Sequence, residues 1–208
     1  MHASFAASYR TQPGLVREVN RLWKPVYPFL ARQVAEFCPS PPGRILEVGC
    51  FSGGVGSELL RMFPEARLSV ALDMPELAGT FFEDWPGCGA DRLTIIRTGL
   101  ERLEVPDRSF DLVFCRGAFF FFDEQAAIMQ ELDRVRAAEG IAVFGGGYGC
   151  YTPDHVIAPI ADESRMQNNA LGRRLYRVED VRGLLARSGL APRARICDDG
   201  GLWVVLGH

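Results

Sequence analysis

The run Ile45-Leu46-Glu47-Val48-Gly49-Cys50-Phe51-Ser52-Gly53-Gly54-Val55-Gly56 joins an acidic side chain to a glycine-rich bend, and residues 57–63 continue with helical spacing. Glycines let a backbone approach a ligand closely, and the unpaired N–H groups that open a helix attract a carboxylate or phosphate. Glu47 adds a negative charge that a pyrophosphate loop does not need. It suits a cation such as an amino group, held directly or through water. A ligand carrying a carboxylate, an ammonium and a sulfonium meets these demands better than a pyrophosphate does.

Placing these groups requires a strand that ends near Glu47 and a helix that begins at the bend. The hydrophobic pattern predicts strands over 44–48, 67–72, 92–97, 110–115 and 141–144, alternating with helices over 53–63, 75–84 and 124–138. The 110–115 segment is almost wholly apolar, as a strand buried on both faces should be. A helix over 178–188 is closed by Gly189, and strands over 194–197 and 202–206 flank the turn Asp198-Asp199-Gly200-Gly201. This order predicts an α/β, Rossmann-like, doubly wound fold: a mostly parallel seven-stranded sheet with a C-terminal antiparallel hairpin, helices on both faces and right-handed crossovers. Ligands in such sheets bind at the carboxyl ends of the strands.

Residues 15–37 have helical spacing broken at Pro25 and Pro28, so two helical pieces should meet at a kink. The expected organisation is one domain over 1–208, with an N-terminal helical cap over 1–42 and the α/β core over 43–208. Within the core, 145–176 lacks a clear period and is too long to be idle, so it is expected to be a lid or substrate insertion.

A chain of 208 residues is long enough to bury an ample core. A net charge of −3, without a lysine/arginine stripe, argues against a nucleic-acid partner. Six cysteines without a C-x-x-C pair and three dispersed histidines give no zinc-site spacing, so no metal is expected. With no signal-peptide pattern and no long apolar span, a cytoplasmic location and no membrane partner are expected.

In order and spacing, Leu46-Glu47-Val48-Gly49-Cys50 with Gly53, then Asp73, then Leu103-Glu104-Val105-Pro106-Asp107-Arg108-Ser109-Phe110-Asp111-Leu112-Val113, then Leu184-Leu185-Ala186-Arg187-Ser188-Gly189-Leu190, form a set. Over roughly 44–206, this set resembles class I S-adenosylmethionine-dependent methyltransferases of the broad small-molecule type. The resemblance implies S-adenosyl-L-methionine as cofactor, methyl transfer to a small-molecule acceptor, and S-adenosylhomocysteine as product. It puts Glu47, Gly49 and Gly53, with Phe51 and Ser52 in the same loop, at the methionine part of the cofactor. Asp73 would take both ribose hydroxyls, which a carboxylate can accept in bidentate fashion. It is also well placed as a helix N-cap before Pro75. Met74 would lie on the adenine, Thr98, Gly99 and Leu100 along its edge, and Cys115, Arg116 and Gly117 under the methionyl group. Phe51 stands where the family usually has a second glycine, and Gly99 where it often has an acid.

Methyl transfer from a sulfonium is downhill, so aligning donor and acceptor and excluding water are the main tasks. A general base is needed only when the acceptor atom carries a proton. His155 is the candidate base, with an exposed loop histidine as the plain alternative. Phe119, Tyr148, Tyr151 and Asn168 are candidate acceptor contacts, although core packing accounts for two or three of the rings in Phe119-Phe120-Phe121-Phe122. The expected partner is a small-molecule methyl acceptor, and the expected assembly a monomer or homodimer. The alternatives are a non-catalytic binder of S-adenosylmethionine or S-adenosylhomocysteine with the same fold, and a nucleotide-dependent oxidoreductase. The G-x-G-x-x-G frame of the latter, started at Gly49, is broken at Phe51.

Overall fold

Strand β1 (Arg44–Val48) is buried from its second residue onward, and it pairs in parallel with β2 (Arg67–Leu72) on one side and β4 (Phe110–Arg116) on the other. The computed structural model describes residues 8–80, 91–122 and 125–207. Beyond β2 lies β3 (Leu93–Arg97), and beyond β4 lies β5 (Arg136–Gly146), both parallel to their neighbours. Strand β7 (Leu202–Leu206) runs antiparallel between β5 and β6 (Ala194–Cys197). The seven-stranded order is β3-β2-β1-β4-β5-β7-β6, the mostly parallel Rossmann-like sheet that the sequence predicts. Ile45, Leu46, Leu112, Phe114 and Phe144 are fully buried. Each such side chain is worth roughly 1.5–3 kcal/mol, which makes the sheet centre a stiff platform for its carboxyl-end loops.

The N-terminal helical pieces are α1 (Pro13–Leu22) and α2 (Tyr27–Phe37), joined by a 3-10 turn at Lys24–Val26 where Pro25 breaks the first helix. α2 packs on α3 (Gly54–Met62). α4 (Gln125–Val135) packs on α7 (Val178–Ser188), which Gly189 closes at φ 72°. Asp111 is a support rather than a site residue: its carboxylate accepts from the backbone N–H of Gly43 (3.1 Å) and Arg44 (2.8 Å), fixing the start of β1.

Other expectations need correction. The helix expected over 124–138 ends at Val135, and β5 starts at Arg136, well before Ile141. The Arg136 guanidinium donates to the carbonyls of Ala137 (3.0 Å), Ala138 (3.3 Å) and Gly140 (3.0 Å), holding a bulge across which the β4–β5 register jumps. The aperiodic 145–176 stretch contains α5 (Asp154–Ile157) and α6 (Ala161–Ala170). α6 buries Ser164 and Asn168, both polar, so no apolar stripe announces it. The helix expected over 75–84 is a 3-10 helix, Pro75–Thr80, with 81–84 outside the described residues, as is Glu124. Among the described residues no helix is long and apolar enough to cross a membrane.

Candidate active site

The first loop is organised by Glu47. Its Oε2 accepts the backbone N–H of Gly53 (2.8 Å) and of Gly56 (3.0 Å), so the carboxylate itself fills the N-terminus of α3. That corrects the expectation that these N–H groups wait for an anion on the ligand. The fit requires glycine at 56, because a Cβ there would stand 2.4 Å from Oε2. Gly49, at φ 103°, turns the chain out of β1 in a conformation that L side chains rarely adopt. Glu47 is 1 % exposed and its Oε1 has no hydrogen-bond partner. Burial pushes its pKa up to about 7, against the pull of the Gly53 N–H, Arg116 and the Gly56 N–H. Such a carboxylate suits an ammonium or a bridging water.

At the end of β2 stands Asp73, and its Oδ2 is already engaged. The Tyr9 hydroxyl donates to it, as does Arg10 Nε at 2.9 Å, both from the 3-10 turn Ser8–Thr11 ahead of α1. Burial and the nearby Cys50 and Asp73 push the Tyr9 phenol well above its ordinary range, so it remains a donor. Asp73 Oδ1 is buried without a partner, as is Ser52 Oγ. Three orphaned acceptor atoms, Glu47 Oε1, Ser52 Oγ and Asp73 Oδ1, therefore rim the ends of β1 and β2, and they fit a ligand with an ammonium and hydroxyls. Met74 and Leu100 are buried nearby in sequence, Gly99 is exposed, and Thr98 Oγ1 donates to the carbonyls of Gly99 (3.1 Å) and Arg102 (3.2 Å).

At the ends of β4 and β5 lies a cavity of about 400 Å³, with Arg116, Gly117, Gly146 and Gly147 in its wall. Trp23 of the turn after α1 roofs it, stacked on Tyr148 (ring centroids 4.7 Å apart, 7° between planes) and donating from Nε1 to Ser164 Oγ of α6 at 2.8 Å. The Trp23–Ser164 bond ties the N-terminal segment to the 145–176 insertion over the space, and Asn168 Nδ2, donating to the Ser164 carbonyl (2.7 Å), adds a bond within α6. Below, Arg116 Nη2 donates to Tyr27 Oη (3.3 Å) and the Phe51 carbonyl (3.2 Å).

The expected acceptor contacts divide. Tyr148 and Asn168 line the cavity. Phe119 does not: it is 1 % exposed and packs on Phe144, while the next ring, Phe120, faces the cavity. Tyr151 lies outside, donating to Glu36 beneath the Arg32 guanidinium. His155 is exposed on α5, outside the cavity lining, because the one-turn helix buries none of its residues. Phe51 and Arg116, expected against the cofactor, contribute side chains to the cavity wall, while Cys115 is buried beneath. Sequence reading gave no role at the site to Tyr9, Trp23 or Arg173, and it left open which of the four rings Phe119–Phe122 faces the cleft. The one available signal was Arg116, a charge that follows directly on an apolar strand.

Comparison with known proteins agrees with this architecture. The methyltransferase-domain family profile matches residues 46–144. No curated protein sequence matches the chain. Among solved structures, a protein of Methanococcus maripaludis given as a candidate S-adenosyl-L-methionine-dependent methyltransferase shares the fold with a TM-score of 0.79 at 19% identity, over 95% of this chain and 92% of that one. A SAM-dependent methyltransferase of Aquifex aeolicus superposes with a TM-score of 0.63 at 16% identity, over 94% and 96% of the two chains. The pyocyanin biosynthetic protein PhzM gives 0.63 at 17% identity, over 86% of this chain and 54% of that one. Over residues 46–144 the chain thus matches the methyltransferase-domain family, and its fold is the one shared by S-adenosylmethionine-dependent methyltransferases, a class whose cofactor is S-adenosylmethionine.

Proposed function

We propose that the chain transfers the methyl group of S-adenosylmethionine to a small molecule held in the cavity at the ends of β4 and β5. The observation that carries this reading is the cavity itself, whose 400 Å³ lies within the ~300–1,000 Å³ typical of small-molecule sites. When bound, the cofactor supplies an electrophilic methyl on a sulfonium. Transfer would form the bond from the methyl carbon to the acceptor atom as the carbon–sulfur bond broke, the electron pair would stay on sulfur as a thioether, and any acceptor proton would go to solvent. Glu47, Ser52 and Asp73 hold the donor through their orphaned oxygens. Trp23, Phe51 and Phe120 orient the acceptor and keep water out. With His155 outside the cavity, the reading assigns no base.

The PhzM structure, described as a pyocyanin biosynthetic protein, supports a small-molecule acceptor by analogy of fold. Free cysteines at 38, 50, 115, 150 and 197 support a reducing, cytoplasmic setting for one domain that acts as a monomer or homodimer. The test is release of S-adenosylhomocysteine from S-adenosylmethionine in pooled small-molecule acceptors. Turnover that depends on an added acceptor supports the reading, and its absence across broad pools contradicts it. A second reading, a non-catalytic binder, is favoured by one observation: Tyr9 and Arg10 already hold the Asp73 carboxylate. The methyltransferase match displaces the oxidoreductase alternative.

A further inference from the structure

The cavity wall contains four arginines, Arg116, Arg165, Arg173 and Arg174, and neither aspartate nor glutamate. This stands out in a chain whose net charge is −3. Arg116 is the deepest. It is 4 % exposed, yet its hydrogen bonds both leave from Nη2 toward neutral oxygens, Tyr27 Oη and the Phe51 carbonyl. Its Nε is buried with no partner, and no carboxylate among the described residues lies within ion-pair distance. A guanidinium carries five donors, and burying its charge unpaired is costly. The structure instead surrounds it with rings: the guanidinium carbon lies 4.8 Å from the centroid of Trp23, 5.1 Å from Tyr27 and 5.8 Å from Phe51. Those rings shield the charge from water, and the buried Glu47 carboxylate, on which Arg116 acts electrostatically, makes no ion pair with it. Arg173, in the loop after α6, repeats the pattern with an Nε that is buried and unpartnered.

We propose that the methyl acceptor is an aromatic carboxylic acid, whose carboxylate is received by Arg116 with support from Arg173 and whose ring lies among Trp23, Phe51, Phe120 and Tyr148. A planar carboxylate matches the guanidinium fork, and aromatic walls match a flat ring. An amine acceptor would bring a like charge into this space. The inference rests on the cavity being the acceptor site. The methionine carboxylate of the cofactor is the other carboxylate within the same chemistry, so the test separates the two.

S-adenosylhomocysteine is titrated into the wild type and Arg116→Met. Benzoate, salicylate, phenylacetate and indole-3-acetate, each beside its uncharged carboxamide, are then titrated into both proteins with and without S-adenosylhomocysteine. Binding is followed by calorimetry and, for the non-fluorescent acids, by the change in tryptophan fluorescence that is lost in Trp23→Phe. The expected result is that at least one acid binds the wild type tenfold or more tighter than its amide. Arg116→Met should erase this preference while S-adenosylhomocysteine affinity stays within threefold. Arg173→Gln, at a less buried position, should weaken the same acid three- to tenfold, which keeps the test alive should Arg116→Met not fold. Equal binding of acid and amide, no acid binding up to 10-mM-order concentrations (~10 mM, the weak end of specific affinity), or a tenfold loss of S-adenosylhomocysteine affinity in Arg116→Met each overturns the proposal. Failure of S-adenosylhomocysteine to bind the wild type counts instead against the methyl-transfer reading, because the acid titrations are also run without it.

Discussion

The Tyr9 hydroxyl donates to the Asp73 carboxylate across 64 positions of sequence. Arg10 binds the same oxygen at 2.9 Å, and Tyr9 is fully buried, edge-on to Phe121. The N-terminal segment thus docks on the carboxylate that the fold would offer to a ribose, leaving only Oδ1 without a partner. On the proposed reading, segment and cofactor would meet at this one side chain.

Tyr9→Phe removes one contender for Asp73. S-adenosylhomocysteine should bind about 3–10-fold tighter, in line with ~1 kcal/mol for a net hydrogen bond. The same loss should lower Tm by roughly 2–4 °C for a chain of this size. Calorimetric titration together with a thermal melt checks both signs. Weaker binding in Tyr9→Phe would mean that the hydroxyl orients Asp73 for the ligand rather than competing with it.

Asp73→Ala should cut cofactor affinity by tenfold or more, since a hydrogen bond to a charged group is worth about 1.5–3 kcal/mol. Arg10 also loses its closer partner in this variant and keeps only Glu101 at 3.8 Å, so circular dichroism should first show the fold retained. Unchanged affinity would refute the ribose assignment and leave Asp73 as an anchor for the N-terminal segment alone.

Glu47 gives the site a pH dependence. Its pKa is raised from 4.5 to about 7, chiefly by burial. Between those values the folded state holds more protons than the unfolded one, so its contribution to stability is complete at low pH, falls as pH rises toward 7, and is flat above. Binding an ammonium requires the ionised form, so cofactor affinity should rise roughly tenfold between about pH 6 and pH 8, with proton release. Glu47→Gln should remove both trends. Calorimetry in buffers of different ionisation enthalpy counts the proton, and a flat wild-type profile would sever Glu47 from the ligand.

Gly56→Ala tests the loop from the other side. The new methyl would stand 2.4 Å from Glu47 Oε2 and 2.6 Å from a Leu68 methyl. Overpacking of this kind costs about 1–3 kcal/mol, more than the helical preference for alanine returns. Denaturant melts should show the loss, and cofactor affinity should fall with it. A variant as stable as the wild type would mean that Glu47 can release the Gly56 N–H freely.

The β1–bend–α3 unit was legible because the hydrophobic period changes at a glycine cluster, and the hairpin because its turn residues stand between two apolar runs. The site's roof was not. Trp23 reaches Ser164 across 141 positions, and no local pattern encodes that pairing. α6 escaped because what it buries is polar. Which of Phe119 and Phe120 lines the cavity was not legible, because a single 3-10 turn, Ala118–Phe121, decides which ring faces the core. His155 carried a plausible chemistry but sits on a helix that buries nothing.

Calorimetric titration of the folded protein with S-adenosylmethionine and S-adenosylhomocysteine, with NAD as the control, tests the central claim most directly. The account predicts one site of micromolar order for the sulfur ligands (Kd ~1 μM, about −8 kcal/mol) and no heat with NAD. Silence from both sulfur ligands, or equal binding of NAD, would contradict it.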